Sequence, residues 1–478
     1  MKRRDFLKGV SLIAAGSALS GPLANAAGII PSPAEASPLP RDDDFEPVTG
    51  LSPVRALDPE VSRPVNVIII GCGNRGRTYA GYARKFPKGM KVVGVSDILE
   101  HRANYLGDQH NVPQEMRFGH FREVFEGGKK LADAVVIATP DDRHYEPCMK
   151  ALALGYDVLL EKPVAPTAKE CKAIREMTKK TGRVVAVCHV LRYAPYFMAL
   201  REVVRSGVIG DVVNIQHMEP IQYAHMAHSY VRGNWRREDE TTPIILAKSC
   251  HDLDILRWII DKPCKHISAE GWLSFFKAEN APEGAPKYCT DGCPHQKECP
   301  YDAMDIYTRQ KKHLGVFDLH GSKDPELIMS RLKDPRYNSY ARCVFHCDND
   351  QPDHYVAIMA FDGDVTASFS MDAFSPKGGR RTRIMGTMGY IEGDGKEFTV
   401  TDFLTRKPRV WNMNVAEIPE YAQSGHGGGD LRLVRDWLEA VDRHDPAHLS
   451  SSIDVSIESH LMGFAAERSR RTGKKEKI

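Results

Sequence analysis

One stretch constrains this chain more than any other: Val65-Asn-Val-Ile-Ile-Ile70 runs directly into Gly71-Cys-Gly73-Asn74-Arg75-Gly76. The β-branched run predicts a strand buried on both faces, as in a parallel sheet. The glycines predict a tight turn into a helix. Gly71 permits the turn, Gly73 lets backbone approach a pyrophosphate, and Gly76 lets helix and strand pack closely. The helix start, with Asn74 and Arg75 in it, offers free N–H groups and a positive dipole end to phosphates. A second strand, KVVGVSD, ends at Asp97, 21 residues beyond Gly76. That carboxylate suits both ribose hydroxyls and repels a 2′-phosphate, so NAD is expected over NADP, with Arg102 softening the preference.

The alternation continues. ADAVVIATP is a strand ending at Thr139-Pro140, and a helix begins around His144. YDVLLEKP is a strand ending at Glu161-Lys162-Pro163, and GRVVAVCHVLRYAP gives one more. Strand and helix in this rhythm predict a doubly wound parallel sheet with ligands at the carboxyl ends of its strands.

The set GxGxxG…D, ATPxxxxH, EKP and HxxRYxP resembles the glucose–fructose oxidoreductase / inositol dehydrogenase / MocA (Gfo/Idh/MocA) family, over about residues 64 to 470. The resemblance implies an N-terminal Rossmann domain, about 63–188, and a C-terminal α+β domain, 189–478, with an open, mostly antiparallel sheet. VVNIQHMEP, HISAEGWLSFF, HYVAIMAFDGDVTASFSMDAF and TRIMGTMGYIEGD read as its strands. It implies that Lys162 sits beside nicotinamide and substrate hydroxyl, and that Pro163 follows a cis bond. Thr139, Pro140, His144, Glu161 and Arg192 are expected around the cofactor.

LAKSCHDLDILRWII reads as the helix bearing the second catalytic position, His251. Relatives often place an Asp four residues earlier. Here that position is Ala247, so a carboxylate–imidazole relay is not assumed, and Lys248 or Asp252 is the candidate partner charge. Tyr193 is a further acid/base candidate. His217, His225 and His228 are expected to border the pocket; on the glycine-rich loop GHGGGDL, His426 can reach a ligand and Asp430 can cap the following helix, with simple turn chemistry the alternative for both.

The N-terminus, MKRRDFLKG, then GVSLIAAGSALSG and Ala24-Asn25-Ala26, has the charged, apolar and cleavage regions of a twin-arginine (Tat) signal peptide over 1–26. This predicts passage through the Tat translocase, folded, to the periplasm or another extracytoplasmic space. Residues 27–62 are Pro-rich and read as a linker or an arm lying on a neighbouring subunit. A net charge of +2 with 27% charged residues carries no footprint for nucleic acid. The basic tail ERSRRTGKKEKI reads as a solvated helix end. The family resemblance implies a homodimer or homotetramer.

Five of the 11 cysteines are bunched in an insertion at about 280–347: Cys289, Cys293, Cys299, Cys343 and Cys347. Zinc or an iron–sulfur centre, with His295 or His346 joining, disulfides, and free buried thiols all remain open. Cys72, Cys148, Cys171 and Cys188 read as small buried hydrophobes.

A dinucleotide enzyme bearing an export signal points to tightly bound NAD in a closed redox cycle acting on a carbohydrate. The favoured chemistry abstracts hydride transiently from a ring hydroxyl, C3 by preference, so that the acidified C2 proton is lost and the C1 group expelled. This is net glycoside cleavage without a carboxylate pair. A sugar or cyclitol oxidoreductase, including one forming 3-keto-sugars, is the alternative. A non-catalytic, NAD-stabilised sugar-binding protein is the third.

Overall fold

The computed structural model describes residues 45–423 and 425–478, so the expected signal peptide and most of the Pro-rich segment lie outside the described residues. Strands in chain order are β1 (Glu46–Pro47), β2 (Val65–Ile70), β3 (Met90–Ser96), β4 (Arg117–Phe118), β5 (Ala134–Ile137), β6 (Asp157–Leu160) and β7 (Val185–Val187). They continue as β8 (Val212–Pro220), β9 (Cys264–Trp272), β10 (His354–Phe361), β11 (Thr366–Asp372), β12 (Arg381–Gly386), β13 (Gly389–Gly393), β14 (Glu397–Asp402), β15 (Pro408–Asn412) and β16 (Glu476–Lys477).

The first sheet is all parallel, ordered β4-β3-β2-β5-β6-β7. β5, β6 and β7 are buried along their whole length, because helices cover both faces. The strand order reverses between β2 and β5, which opens a crevice at their carboxyl ends where Gly71 and Thr139 lie.

The second sheet is ordered β1-β15-β14-β13-β12-β8-β11-β10-β9-β16 and is antiparallel except at β1/β15 and β8/β11. Its strands alternate: Tyr355, Ala357, Met359 and Phe361 of β10 are buried, while Val356 and Ile358 point outward. Trp272 and Met218 are also exposed on neighbouring strands, leaving an apolar stripe on the open face. The inner face carries the long helices Cys250–Ile260 and Ile453–Thr472. The second of these ends at Gly473 in the left-handed region, and the tail beyond it forms β16 at the sheet edge.

Residues 46–62 pack against their own chain. Arg55 pairs with Glu439 at 2.8 Å, Ser52 and Ser62 bond Glu202 and Asp442, and Leu57 is buried with its carbonyl accepting from Tyr82 Oη. This part of the segment is strapped along its own chain.

The cysteine-bearing insertion, between β9 and β10, folds as short helical turns plus the helix Pro325–Lys333 around Tyr307, Phe317, Ile328 and Leu332. It reaches back across the first domain.

Candidate active site

The glycine turn is built as the sequence predicts. Gly71 has φ +93°, and a Cβ there would lie 2.5 Å from Ala138 O; one on Gly76 would lie 1.9 Å from Gly71 O. Gly73 differs: a methyl group there would find nothing nearer than Arg102 Nη1 at 3.9 Å. The space above Gly73 is therefore open. The helix Asn74–Lys85 starts with no side-chain cap and no acidic residue in its first turn, so its leading N–H groups face that space unpaid by protein. Asp97 is fixed at the rim, its two oxygens accepting from Cys72 N and Leu99 N at 2.8 Å each. These features fit a dinucleotide.

Arg75 does not face the phosphates. Its guanidinium donates inward to Glu161 Oε1 (2.6 Å), Tyr79 Oη and Asp430 Oδ1 (2.9 Å). Glu161 is likewise spoken for. It accepts from Arg75, Tyr79 and the Lys162 N–H, and the Arg75 and Lys162 charges hold its carboxyl below the usual range against its burial. Both residues brace the site instead of lining it. His144, fully buried, sets its ring nitrogens 2.7 Å from Pro163 O and 2.9 Å from Thr139 O. It ties the end of β5 to the turn after β6, where the Lys162–Pro163 bond is cis.

Lys162 Nζ donates to the backbone carbonyl of Ala247 at 2.7 Å. Ala247, where the family resemblance implies a carboxylate, thus offers Lys162 its main-chain carbonyl oxygen. His251 starts the next helix, 6% exposed, with Nδ1 buried and unpartnered. Burial, with Lys162, His189, His426 and Arg380 around it, pushes its imidazole well below the ordinary range. It is a neutral base with a vacant nitrogen.

Neither expected partner serves His251. Asp252 bonds Arg380 Nε (2.6 Å) and His217 Nε2 (3.0 Å), and despite burial these hold its carboxyl at about 2. Lys248 pairs with Glu219 at 2.9 Å, and Glu219 with Arg380 at 3.0 Å. The chain Lys248–Glu219–Arg380–Asp252–His217 is internally neutralised.

Two further expectations are corrected. Arg192 is buried and forks onto Asp254, 2.7 Å on each arm, so its guanidinium is committed to anchoring the helix Cys250–Ile260. Tyr193 is 2% exposed with its hydroxyl on Ser451 Oγ and Ser451 N, packing the first domain's edge. Both lie in the turn Val190–Tyr193, whose residues all point inward.

His426 stands in the left-handed region (φ +44°) and bonds Asp430 at 3.0 Å, its ring 5.9 Å from that of His251. Asp430 pairs with Arg75 at 2.9 Å, and despite burial His426 and Arg75 hold its carboxyl well below the usual range, which makes it a brace and not a helix cap. His228 is buried and His225 half-buried, and His313 of the insertion stacks on both, at 4.6 and 5.2 Å. His225 lies close enough to Lys248 and Lys162 for their charges to help burial lower its pKa. His228 bonds Tyr307 Oη at 2.8 Å, deeper in the insertion.

Residues that sequence reasoning missed complete the surroundings. Asp141 is buried beside Lys162 and accepts from Trp235 Nε1 and Thr242 Oγ1 at 3.1 Å; burial raises its pKa against the pull of Lys162. His189 and His460 extend the imidazole row behind His251, with ring centroids 5.9 and 5.3 Å apart in turn.

Cys289, Cys293, Cys299 and Cys343 line one cavity beside Arg232, and all five clustered thiols are free. Among the described residues, the single trio of His, Cys, Asp or Glu ligand atoms within 4.8 Å of one another is Asp436, Glu439 and His448, whose two carboxylates pair with Arg55 and Arg435. The cysteines do not form such a trio.

Comparison with known proteins agrees with this layout. Residues 65–189 match the family model described as oxidoreductase family, NAD-binding Rossmann fold, and residues 197–286 match the GFO/IDH/MocA C-terminal domain. The chain is 25% identical to the oxidoreductase YteT of Bacillus subtilis over 391 residues, covering 78% of this chain and 89% of YteT. It is 32% identical to inositol 2-dehydrogenase of Serratia proteamaculans over 204 residues, covering 41% of this chain and 55% of that protein. The chain thus spans little more than half of that curated dehydrogenase. In fold it is similar to an inositol dehydrogenase homolog from Azotobacter vinelandii complexed with NAD+ (TM-score 0.63, 16% identity, 89% of this chain and 100% of the other). It is also similar to levoglucosan dehydrogenase in complex with NADH and levoglucosan (TM-score 0.62, 16% identity, 87% and 100%).

Proposed function

We propose that the chain is a member of the Gfo/Idh/MocA family, whose NAD-binding and C-terminal domain models match residues 65–189 and 197–286, and that it oxidises a ring hydroxyl of a sugar or cyclitol. The observation that carries this reading is the pairing of Lys162, fixed on the Ala247 carbonyl, with a neutral, unpartnered His251. The relatives named inositol 2-dehydrogenase and levoglucosan dehydrogenase support the substrate class.

NAD, when bound over the glycine turn, supplies the hydride acceptor. The protein's part is to hold one hydroxyl between two side chains. Lys162 donates a hydrogen bond to the hydroxyl oxygen, which steadies the negative charge that grows there. The His251 imidazole accepts the hydroxyl proton as the carbon's hydrogen leaves with its electron pair, so an O–H bond and a C–H bond break and a C=O bond forms. His426, 39% exposed at its side chain, offers that proton a route toward solvent. Incubating purified protein with NAD and a panel of cyclitols and sugars tests the reading through formation of reduced nicotinamide.

A second reading is that the hydride is returned and the net reaction is glycoside cleavage at a resident cofactor outside the cytoplasm. The twin-arginine pattern at Arg3-Arg4 supports it. After oxidation at C3, a base removes the C2 proton, the C1 substituent leaves, water adds, and the hydride is restored. Release of the leaving group from an aryl glycoside in heavy water, with deuterium at C2 of the sugar, tests this. Retention of hydrogen at C2 overturns it.

The apolar stripe of Trp272, Val356 and Ile358 supports a homo-oligomer closed through the open sheet face.

A further inference from the structure

The insertion does more than carry cysteines. Its segment 313–320 leaves its own aromatic core at Phe317 and runs against the first domain beside the glycine turn. The Gly315 carbonyl accepts from Arg77 Nη2 at 3.2 Å, and a Cβ on Gly315 would sit 3.4 Å from Asn74 Oδ1, the first residue of the phosphate-facing helix. Asp318 is 4% exposed and accepts from Arg102 Nε (2.9 Å), Arg77 Nη1 (3.3 Å), His101 Nε2 (3.2 Å) and Tyr337 Oη (3.0 Å). Arg102 is the nearest group to the open space over Gly73. His320 then packs its ring on Tyr105, centroids 4.0 Å apart.

The backbone of this segment is held in an uncommon shape. His313, Asp318 and His320 all have positive φ, +56°, +49° and +48°, and none is glycine. Residues of this kind persist where surrounding contacts over-determine them, and they concentrate at ligand clamps. Here those contacts are cationic side chains of the first domain at one end and the His225–His228 ring stack at the other. The segment therefore runs from the catalytic side of the groove to its Asp97 side.

We infer that segment 313–320 is the outer wall of the dinucleotide site, fastened by Asp318 to Arg77, His101 and Arg102, and that it retains the cofactor. Asp318 is a positioning residue: it holds the arginines and the wall together without a role in hydride transfer. The inference rests on the NAD reading above and adds to it the chain's own means of keeping the cofactor.

The test uses the purified full chain loaded with NADH. Its release is followed by nicotinamide fluorescence after dilution into excess NAD, and amide exchange of residues 313–320 is measured with and without NADH. Asp318→Asn is expected to release NADH about tenfold faster or more, since losing one partner of a buried charge pair acts mainly on dissociation. In the unaltered chain NADH is expected to slow amide exchange in the segment, a readout that stands if the variant does not fold. NADH binding with an unchanged release rate in folded Asp318→Asn, or with no protection of 313–320, overturns the wall and leaves the NAD reading intact. Failure of the unaltered chain to bind NADH overturns both.

Discussion

Lys162 Nζ and the carbonyl oxygen of Ala247 are 2.7 Å apart, so a lysine at the end of β6 is aimed by main chain from the other domain. A backbone acceptor has no proton to exchange. Proton transfer then falls to His251, the neighbouring base with a vacant nitrogen.

His251→Ala is expected to lower kcat by about 10²–10⁴-fold, the usual range for a lost general base, with NAD content unchanged. Because burial and surrounding cations depress its pKa, the acid limb of kcat/KM should lie well below the ordinary imidazole value. Stability follows the same sign. His189, His225, His228 and His460 are lowered too, so the unfolded chain binds more protons and stability falls as pH drops below about 6.5. A pH series of kcat/KM and of Tm checks both.

The glycines of the turn should separate by role. Gly71→Ala meets both a positive φ and a 2.5 Å clash, and should lose folded yield. Gly73→Ala meets neither, so it should fold with an unchanged Tm yet bind NAD at least tenfold more weakly, because its methyl enters the phosphate space. Calorimetric titration with NAD on both variants distinguishes these outcomes.

Arg192→Met should be a stability variant and not a cofactor variant. It strands Asp254, 1% exposed, without its bidentate partner. A cost of about 3–5 kcal/mol is expected from breaking a buried pair on one side. Denaturant unfolding should show the loss while NAD affinity of the folded fraction stays unchanged.

Ile358→Glu places a charge in the middle of the exposed stripe of the second sheet, where Ile358 is 65% exposed. Analytical ultracentrifugation should show a shift toward monomer with little change in Tm. An unchanged mass would remove that face from the assembly.

The sequence revealed the parts whose signals are local. Gly71, Gly73, Gly76 and Asp97 sit within one strand–turn–helix–strand unit that spacing marks, whereas Lys162, at a strand end, is marked by the family resemblance. The direction of Arg192 and Tyr193 is not legible locally, because a short turn can face either way and its inward choice depends on Asp254 and Ser451, far along the chain. Asp141, His189, His460 and Asp318 acquire meaning only from partners brought near by the fold. No local pattern could mark Asp318, whose partners at Arg77 and Arg102 are separated from it by a whole domain. Ala247 presents the opposite case: its side chain suggests a lost function, while its carbonyl supplies the contact.

The central claim is that Lys162 and His251 handle a hydroxyl whose hydride passes to NAD. The most direct measurement is a single turnover of protein saturated with NAD against a panel of sugars and cyclitols, comparing the unaltered chain with Lys162→Ala at equal NAD content. Reduced nicotinamide is expected in the unaltered chain, and a rate at least about a hundredfold lower, the scale of a lost catalytic group, in Lys162→Ala. Equal rates in the two proteins, or no reduction by any sugar or cyclitol in NAD-saturated unaltered protein, would contradict it.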